Sequence, residues 1–96
     1  MYLKIYKNGE HILVAACDEE VLGKTLKHGN KIVEISRAFY EGEFVSEKEF
    51  QKALEEATTA NLFGEKTIKC AIKCGLVDPD SVIIIDNVPH AQIFRI

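Results

Sequence analysis

The sequence predicts a single α+β domain, with a mixed or mostly antiparallel sheet of about five strands and two main helices on one face. Three observations predict this fold class: a strand pair around Asn8-Gly9, two amphipathic helical patterns in the middle of the chain, and two apolar runs near the C-terminus. The chain has 96 residues, of which 47% are hydrophobic and 28% charged, as in an ordinary globular protein. We therefore expect residues 1–96 to form one domain.

The N-terminal segment is predicted to form a β-hairpin. Residues 2–6 alternate in polarity, residues 12–16 are apolar, and Asn8-Gly9 between them suits the positive φ angles of a type I′ turn. Asp18 is then a favourable N-cap, and two glutamates after it suit the positive end of a short helix that Gly23 limits.

The next segment is predicted to return to extended structure. Residues 31–36 are rich in branched residues and predict a third strand. Residues 39–44 are aromatic but contain Gly42, which favours either a bulged edge strand or an extended connection.

Two helices follow. Ser46 and Glu49 form a capping box, and the helix after it buries one face, formed by Phe50, Ala53, Leu54 and Ala57. A second helix begins at Glu65 and stops at Gly75. The segment 58–64 between them is predicted to be an interhelical turn, in which Asn61 and Gly64 permit positive φ.

The C-terminal segment contains two apolar runs separated by NVPHAQ, residues 87–92. The run 82–85 predicts a central strand covered on both sides, and the run 93–96 predicts a short last strand. Pro89 makes NVPHAQ look like a turn, but a glycine turn needs neither His90 nor Gln92. The imidazole and the amide are thus expected to have specific partners, either neighbouring backbone groups or a ligand.

Composition excludes several classes of function. A formal net charge of −3 argues against binding nucleic acid or anionic lipid over the whole surface, although Lys24, Lys27 and Lys31 cluster locally. No apolar stretch approaches the ~20 residues that span a bilayer, and the N-terminus does not resemble a signal peptide. We therefore expect a cytoplasmic protein with no membrane partner.

The three cysteines argue against a disulfide framework, since their number is odd and no secretory signal precedes them. A zinc site needs more ligands than the sequence groups together. Cys70 and Cys74 are one helical turn apart, and His90 or Cys17 would have to supply a third ligand. Free thiols, with no metal and no cofactor, are the prediction.

Five short stretches resemble a known family in their order and spacing. They are Cys17-Asp18-x-x-x-Leu22-Gly23-Lys24, Phe39-Tyr40-x-Gly42, Ala57-Thr58-x-Ala60-Asn61-Leu62-x-Gly64-Glu65, Gly75-Leu76-Val77 and Val88-Pro89-His90-Ala91-Gln92. Together they resemble a small archaeal family catalogued as domain of unknown function 424. The resemblance implies a stand-alone, cytoplasmic archaeal protein of about this length, and it transfers no activity, ligand or catalytic residue.

Two hypotheses for function follow from the residues. The first is a non-catalytic binding module for RNA or for a protein of the translation or RNA-processing machinery. Its candidate binding residues are Asp18, Lys24, Tyr40, Asn61, Gly64, Pro89, His90 and Gln92. Tyr40 belongs to a set of strand aromatics that either stack bases or fill the core. The amides before Lys66 offer a second option, a phosphate site at a helix N-terminus. A homodimer through edge strands is compatible with either hypothesis.

The alternative is a small enzyme that uses Cys17 and His90 in thiol or acyl chemistry. A cysteine at a helix N-terminus often has a lowered pKa, but the adjacent Asp18 opposes that shift. The hypothesis requires the Cys17 thiol and the His90 ring to lie within hydrogen-bond reach of each other. The competing interpretation is a small buried cysteine followed by an N-cap.

Overall fold

A computed structural model describes residues 1–95 of the chain. The strands are β1 (Tyr2–Asn8), β2 (His11–Cys17), β3 (Thr25–His28), β4 (Lys31–Glu34), β5 (Glu43–Phe44), β6 (Thr59–Phe63), β7 (Ile83–Ile85) and β8 (Val88–Phe94). The helices are α1 (Arg37–Tyr40), α2 (Glu47–Glu56) and α3 (Glu65–Lys73), with short 3-10 helices at Glu19–Val21 and Pro79–Ser81. The predicted strand 93–96 ends at Ile96, which lies outside the described residues.

Six strands form one mixed sheet in the order β5-β1-β2-β6-β8-β7. The hairpin β1–β2 is antiparallel, β2 and β6 run parallel, and β8 is antiparallel to both of its neighbours. The strands β3 and β4 form a separate hairpin. The predicted α+β fold class is confirmed, with six strands in the main sheet where about five were expected.

The sheet is covered on both faces. The helical face packs against α2 and α3, through residues such as Phe50, Leu54 and Ile68 on Val14 and Leu62. The predicted capping box begins α2: the Ser46 hydroxyl accepts the Glu49 amide at 3.2 Å, and the Glu49 carboxylate accepts the Ser46 amide at 3.1 Å. The opposite side, here called the hairpin face, is covered in part by α1 and the β3–β4 hairpin.

The segment between the two main helices is a strand and not the predicted turn. As β6, it lies in the middle of the sheet between β2 and β8. Ala60 and Leu62 point to the helical face, while Asn61 and Phe63 point to the hairpin face. Asn61 favours a turn when only its neighbours are considered. In the structure its amide oxygen accepts a hydrogen bond from Gln92 on β8 at 2.9 Å, so the side chain is accommodated within a strand.

The apolar run before NVPHAQ is an edge strand and not the predicted central strand. As β7 it pairs only with β8, and its side chains Ile83 and Ile84 are 46% and 58% exposed. A fully apolar run is typical of a strand covered on both faces, but here the chain doubles back so tightly that β8 takes the inner position.

The tight turn consists of Asp86 and Asn87, with φ angles of 51° and 68° as in a type I′ turn. NVPHAQ is therefore mostly strand, since β8 starts at Val88. Pro89 has no N–H to donate to a neighbouring strand. It is tolerated inside β8 because β6 ends at Phe63, opposite His90, so β6 has no residue opposite Pro89 that needs this N–H. The Pro89 carbonyl still accepts the Gly64 amide at 2.9 Å.

Three smaller predictions are also corrected. The short helix after Asp18 is a single 3-10 turn, and the Asp18 side chain does not cap it. The segment 39–44 starts in α1, which Ser36 caps, and only its last two residues form the edge strand β5. The third strand is half of the β3–β4 hairpin around Gly29 and does not join the main sheet. Among residues 1–95, no helix has the length and apolar character needed to cross a bilayer.

Candidate functional site

The Cys17 thiol and the His90 ring do not form the pair that the enzyme hypothesis requires. Cys17 on β2 pairs with Phe63 on β6, and Phe63 pairs with His90 on β8, so the three side chains share the hairpin face in one row. Two strand spacings, about 9–10 Å of backbone separation, lie between Cys17 and His90. The Phe63 ring stacks on the His90 ring, with centroids 4.1 Å apart, and separates it from the thiol.

Both groups are also poorly suited to thiol chemistry. Burial, together with the charge of Asp18, raises the pKa of the Cys17 thiol to about 12. The His90 Nδ1 donates to the Leu62 carbonyl at 2.9 Å, and burial lowers the pKa of the ring. Cys17 is thus a buried neutral thiol, and His90 is a neutral imidazole whose Nε2 is an acceptor.

Ionisation of Cys17 is expected to reduce stability at alkaline pH. The folded-state pKa lies above the ordinary cysteine value of about 8.5, so the unfolded chain loses the proton first. The stabilisation is complete below about pH 8.5 and is lost as pH rises toward the folded-state pKa, by up to about 1.4 kcal/mol per pH unit. Urea unfolding at about pH 7.5 and about pH 10.5 should show a smaller alkaline loss for Cys17→Ala than for Cys74→Ala. Equal losses in the two variants would rule out Cys17 as a source.

Four predicted binding residues meet in one cleft at the ends of the parallel strands β2 and β6. This strand-end cleft has a volume of about 440 Å³. Its lining includes Asp18, Lys24, Gly64 and Pro89, and also Glu20, Glu65, Lys66, Asp86 and Asn87. The carboxyl ends of parallel strands are a common position for ligand sites. Four acids and two lysines line this cleft, so it is not suited to an anion.

The Asp18 carboxylate occupies the place where a phosphate was considered. It is 3% exposed and accepts three hydrogen bonds at the start of α3: from the Lys66 amide at 2.9 Å, the Thr67 amide at 2.8 Å and the Thr67 hydroxyl at 2.7 Å. Asp18 therefore caps α3, 48 residues further along the chain, and not its own 3-10 helix. The helix amides that an anion would need already have a partner.

Three other predicted residues lie together on the part of the hairpin face that α1 and the β3–β4 hairpin leave uncovered. Asn61 on β6 pairs with Gln92 on β8, and His90 lies two residues before Gln92 on the same strand. Phe94, which is not among the predicted site residues, continues the row and is 85% exposed. We call Asn61, His90, Gln92 and Phe94, with Leu13 and Thr59 beside them, the open sheet face.

The aromatic residues considered for base stacking mostly pack on one another. Tyr40 is 5% exposed and lies in the core, where burial raises the pKa of its hydroxyl. Tyr6 stacks on Phe39 with centroids 4.9 Å apart, and Tyr2 meets Phe44 edge to face. Alternation along residues 88–94 would have identified Phe94 as outward-facing, but that required reading the segment as one strand.

The cysteines lie on both sides of the sheet, and the histidines lie on three different strands, His11 on β2, His28 on β3 and His90 on β8. Cys70 lies in the core under the helical face, whereas Cys17 lies under the hairpin face with Phe63. Within residues 1–95, no group of three or more histidine, cysteine or acidic side chains is arranged to hold a metal ion.

Comparisons with known proteins place this architecture among relatives without an assigned function. A solved structure of an uncharacterized conserved protein from Methanopyrus kandleri is similar, with a TM-score of 0.81 and 29% identity over 96% of this chain and 88% of that chain. No curated protein matches the sequence. The model of a family described as "Protein of unknown function (DUF424)" matches residues 6–96. The chain therefore belongs to the DUF424 family, as the resemblance of its five short stretches implied.

Proposed function

We propose that this protein is a non-catalytic binding module that recognises an extended, basic segment of another protein by adding it as a strand to β7. The proposal rests on β7, an apolar edge strand whose first two side chains, Ile83 and Ile84, are exposed. Strand addition of this kind uses main-chain hydrogen bonds for affinity and alternate side chains for specificity.

The register of the β7–β8 hairpin determines which backbone groups are free. The Pro89 carbonyl points to β6, where it accepts the Gly64 amide, so Ile84 opposite Pro89 belongs to a pair that is not hydrogen-bonded across the hairpin. The N–H and C=O of Ile84 thus point away from β8. No group of residues 1–95 hydrogen-bonds to them.

The side chains of β7 suit the addition of another strand and do not protect the edge against it. Edge strands that avoid pairing usually carry a lysine or a proline, and residues 82–85 contain neither. Ile83 points to the hairpin face and Ile84 to the helical face, so an added strand would find an apolar side chain on each face of the sheet.

Charge favours a basic partner. Residues 78–86 contain three aspartates and no lysine or arginine. Asp86 shares the strand-end cleft with Lys24 and accepts the Lys27 amide at 3.3 Å, so the acids left for a partner are Asp78 and Asp80, before β7. Basic segments are common in proteins that work on RNA, which is why a partner in the translation or RNA-processing machinery is part of the proposal. An RNA partner is disfavoured at this edge, because its phosphates would meet the same acids.

Replacement of Ile84 by proline is expected to weaken partner binding about tenfold, because it removes the outward N–H and places a ring at the pairing edge. The hairpin with β8 keeps its hydrogen bonds, so urea unfolding should change little. The probe is a library of random peptides, selected on the immobilised protein and measured by fluorescence anisotropy. Selected peptides should be rich in lysine or arginine and in branched residues, and they should bind more weakly at high salt.

Matched variants separate strand addition from other modes of binding. Ile32→Lys replaces an isoleucine on β4 that is 69% exposed, more than Ile84, and should leave binding unchanged, whereas Ile84→Lys should weaken it. Asp80→Lys should weaken binding more than Glu10→Lys, which reverses an exposed charge beside the β1–β2 turn. Two results would refute the proposal: peptides whose binding Ile84→Pro leaves intact, or a wild-type dimer that Ile84→Pro converts to a monomer. The second result would show that another copy of the chain occupies the edge.

A further inference from the structure

The open sheet face holds polar groups that the fold orients but does not use. The His90 Nδ1 is committed to the Leu62 carbonyl, so its Nε2 remains a free acceptor. The Gln92 Nε2 donates to the Asn61 Oδ1 at 2.9 Å. This bond leaves the Gln92 Oε1 free to accept, and the Asn61 Nδ2 and the second hydrogen of Gln92 Nε2 free to donate, on two residues that pair across β6 and β8.

These groups are held in place before any ligand arrives. The ring of His90 is fixed by its hydrogen bond and by stacking on Phe63. Asn61 and Gln92 restrain each other, so neither amide has to lose much rotamer freedom when it binds. Binding to pre-oriented groups costs less entropy than binding to free side chains.

The charge of this face excludes several ligand classes. The depression beside it has a volume of about 340 Å³. Its lining is entirely uncharged, consisting of Leu13, Thr59, Ala60, Asn61, Gln92, Ile93 and Phe94. A phosphate or a carboxylate would lose hydration here without gaining a counter-charge. The 85% exposed ring of Phe94 instead offers a flat apolar surface for stacking.

We propose that the open sheet face binds a nucleobase that stacks on Phe94 and hydrogen-bonds to Asn61 and Gln92. His90 lies about 13 Å along β8 from Phe94, beyond the reach of the stacked base. The two amides offer both an acceptor, Gln92 Oε1, and a donor, Asn61 Nδ2, so they complement a base whose edge has a donor beside an acceptor, as in adenine, cytosine and uracil. In adenine or cytosine, the amino group donates to Gln92 Oε1 and the ring nitrogen accepts from Asn61 Nδ2. The base belongs either to a free nucleoside or to single-stranded RNA. The site is separate from the edge of β7 and does not depend on strand addition.

The side-chain amides report directly on this contact. In a nitrogen-15 labelled sample, the NH₂ signals of Asn61 and Gln92 should shift on titration with adenosine, cytidine or uridine, and several-fold less with ribose, which has no base. Gln51 on the exposed side of α2 bonds only to Glu55 and provides an internal control that should not shift. Short oligoadenylate that binds much more tightly than adenosine would indicate single-stranded RNA as the source, and equal affinities would indicate a free nucleoside.

Variants test whether Phe94 is the stacking surface. Phe94→Ala should weaken adenosine or oligoadenylate binding about tenfold, since one aromatic ring commonly supplies that much for a stacked base. Phe44→Ala removes a ring that is 62% exposed at the opposite edge of the sheet and should have no effect. Gln92→Ala and Gln51→Ala form the second matched pair. The proposal fails if no nucleoside or oligonucleotide shifts the Asn61 and Gln92 signals, or if the two phenylalanine variants weaken binding equally.

Discussion

Replacement of Gly64 by alanine is expected to lower the free energy of unfolding by about 3 kcal/mol or more. Gly64 has a φ of +110°, which residues with a side chain rarely adopt, and it is buried between β6 and α3. A methyl group there would overlap the carboxyl carbon of Asp18 and lie 2.6 Å from its Oδ1. The Asp18 side chain cannot move away without giving up its hydrogen bonds to α3. Urea unfolding followed by circular dichroism measures the loss.

A second glycine separates backbone strain from steric overlap. Gly75 also has positive φ, +77°, but an added Cβ would meet nothing within 4 Å. Gly75→Ala should therefore cost only about 1 kcal/mol, which is the strain alone. If the two variants lost similar stability, the contact with Asp18 would not be the reason that position 64 requires glycine.

Short-range sequence signals were sufficient to predict elements whose conformation depends only on neighbouring residues. The β1–β2 hairpin, the capping box at Ser46 and the stop of α3 at Gly75 are each determined by a few neighbouring residues, and all three are present. The turn of the hairpin was predicted one residue too early: its central residues are Gly9 and Glu10 and not Asn8 and Gly9, and only Gly9 has a positive φ, 63°, as in a type II′ turn. The fold class could be predicted because it depends on the number and type of such elements and not on their order in the sheet.

Sheet order was not predictable because it depends on distant pairings. The run 82–85 has the composition of a central strand, but its position depends on β8 pairing with β6, more than 20 residues earlier. The strand β6 was missed because Asn61 and Gly64 suggest a turn locally. Both residues are explained by contacts with distant parts of the chain: Asn61 bonds to Gln92 across the sheet, and Gly64 makes room for Asp18.

The predicted site residues lie in separate places because their positions, too, depend on the tertiary structure. The motif at residues 88–92 was identified as chemically unusual, and the structure explains each residue separately: Pro89 lies where no strand needs its N–H, His90 bonds to Leu62, and Gln92 bonds to Asn61. What the sequence could not indicate was their orientation. Alternation along a strand places His90 and Gln92 on one face and Pro89 on the other, which puts Pro89 in a different part of the surface from the other two.

Replacement of Asp18 by alanine is expected to cost about 2–4 kcal/mol of the free energy of unfolding. The change leaves the amides of Lys66 and Thr67 and the Thr67 hydroxyl without their acceptor, and Thr67 is fully buried, so water cannot replace the carboxylate at low cost. Hydrogen exchange of these two amides should accelerate more than exchange near the C-terminal end of α3. Glu19→Ala removes the exposed neighbouring carboxylate and should change stability by less than about 0.5 kcal/mol.

The double variant tests whether Asp18 and Gly64 act as one unit. Asp18→Ala removes two of the three atoms nearest to a methyl group at position 64 and leaves only the Cβ, at 2.7 Å. The combined cost of Asp18→Ala and Gly64→Ala should therefore be smaller than the sum of the single costs, by at least about 1 kcal/mol. Such coupling would show that the carboxylate cap and the glycine are required by each other, since Asp18 can reach the start of α3 only over a residue without a side chain. Strict additivity would mean that Gly64 is needed for its φ angle and its contact with the Asp18 Cβ, and not to make room for the carboxylate.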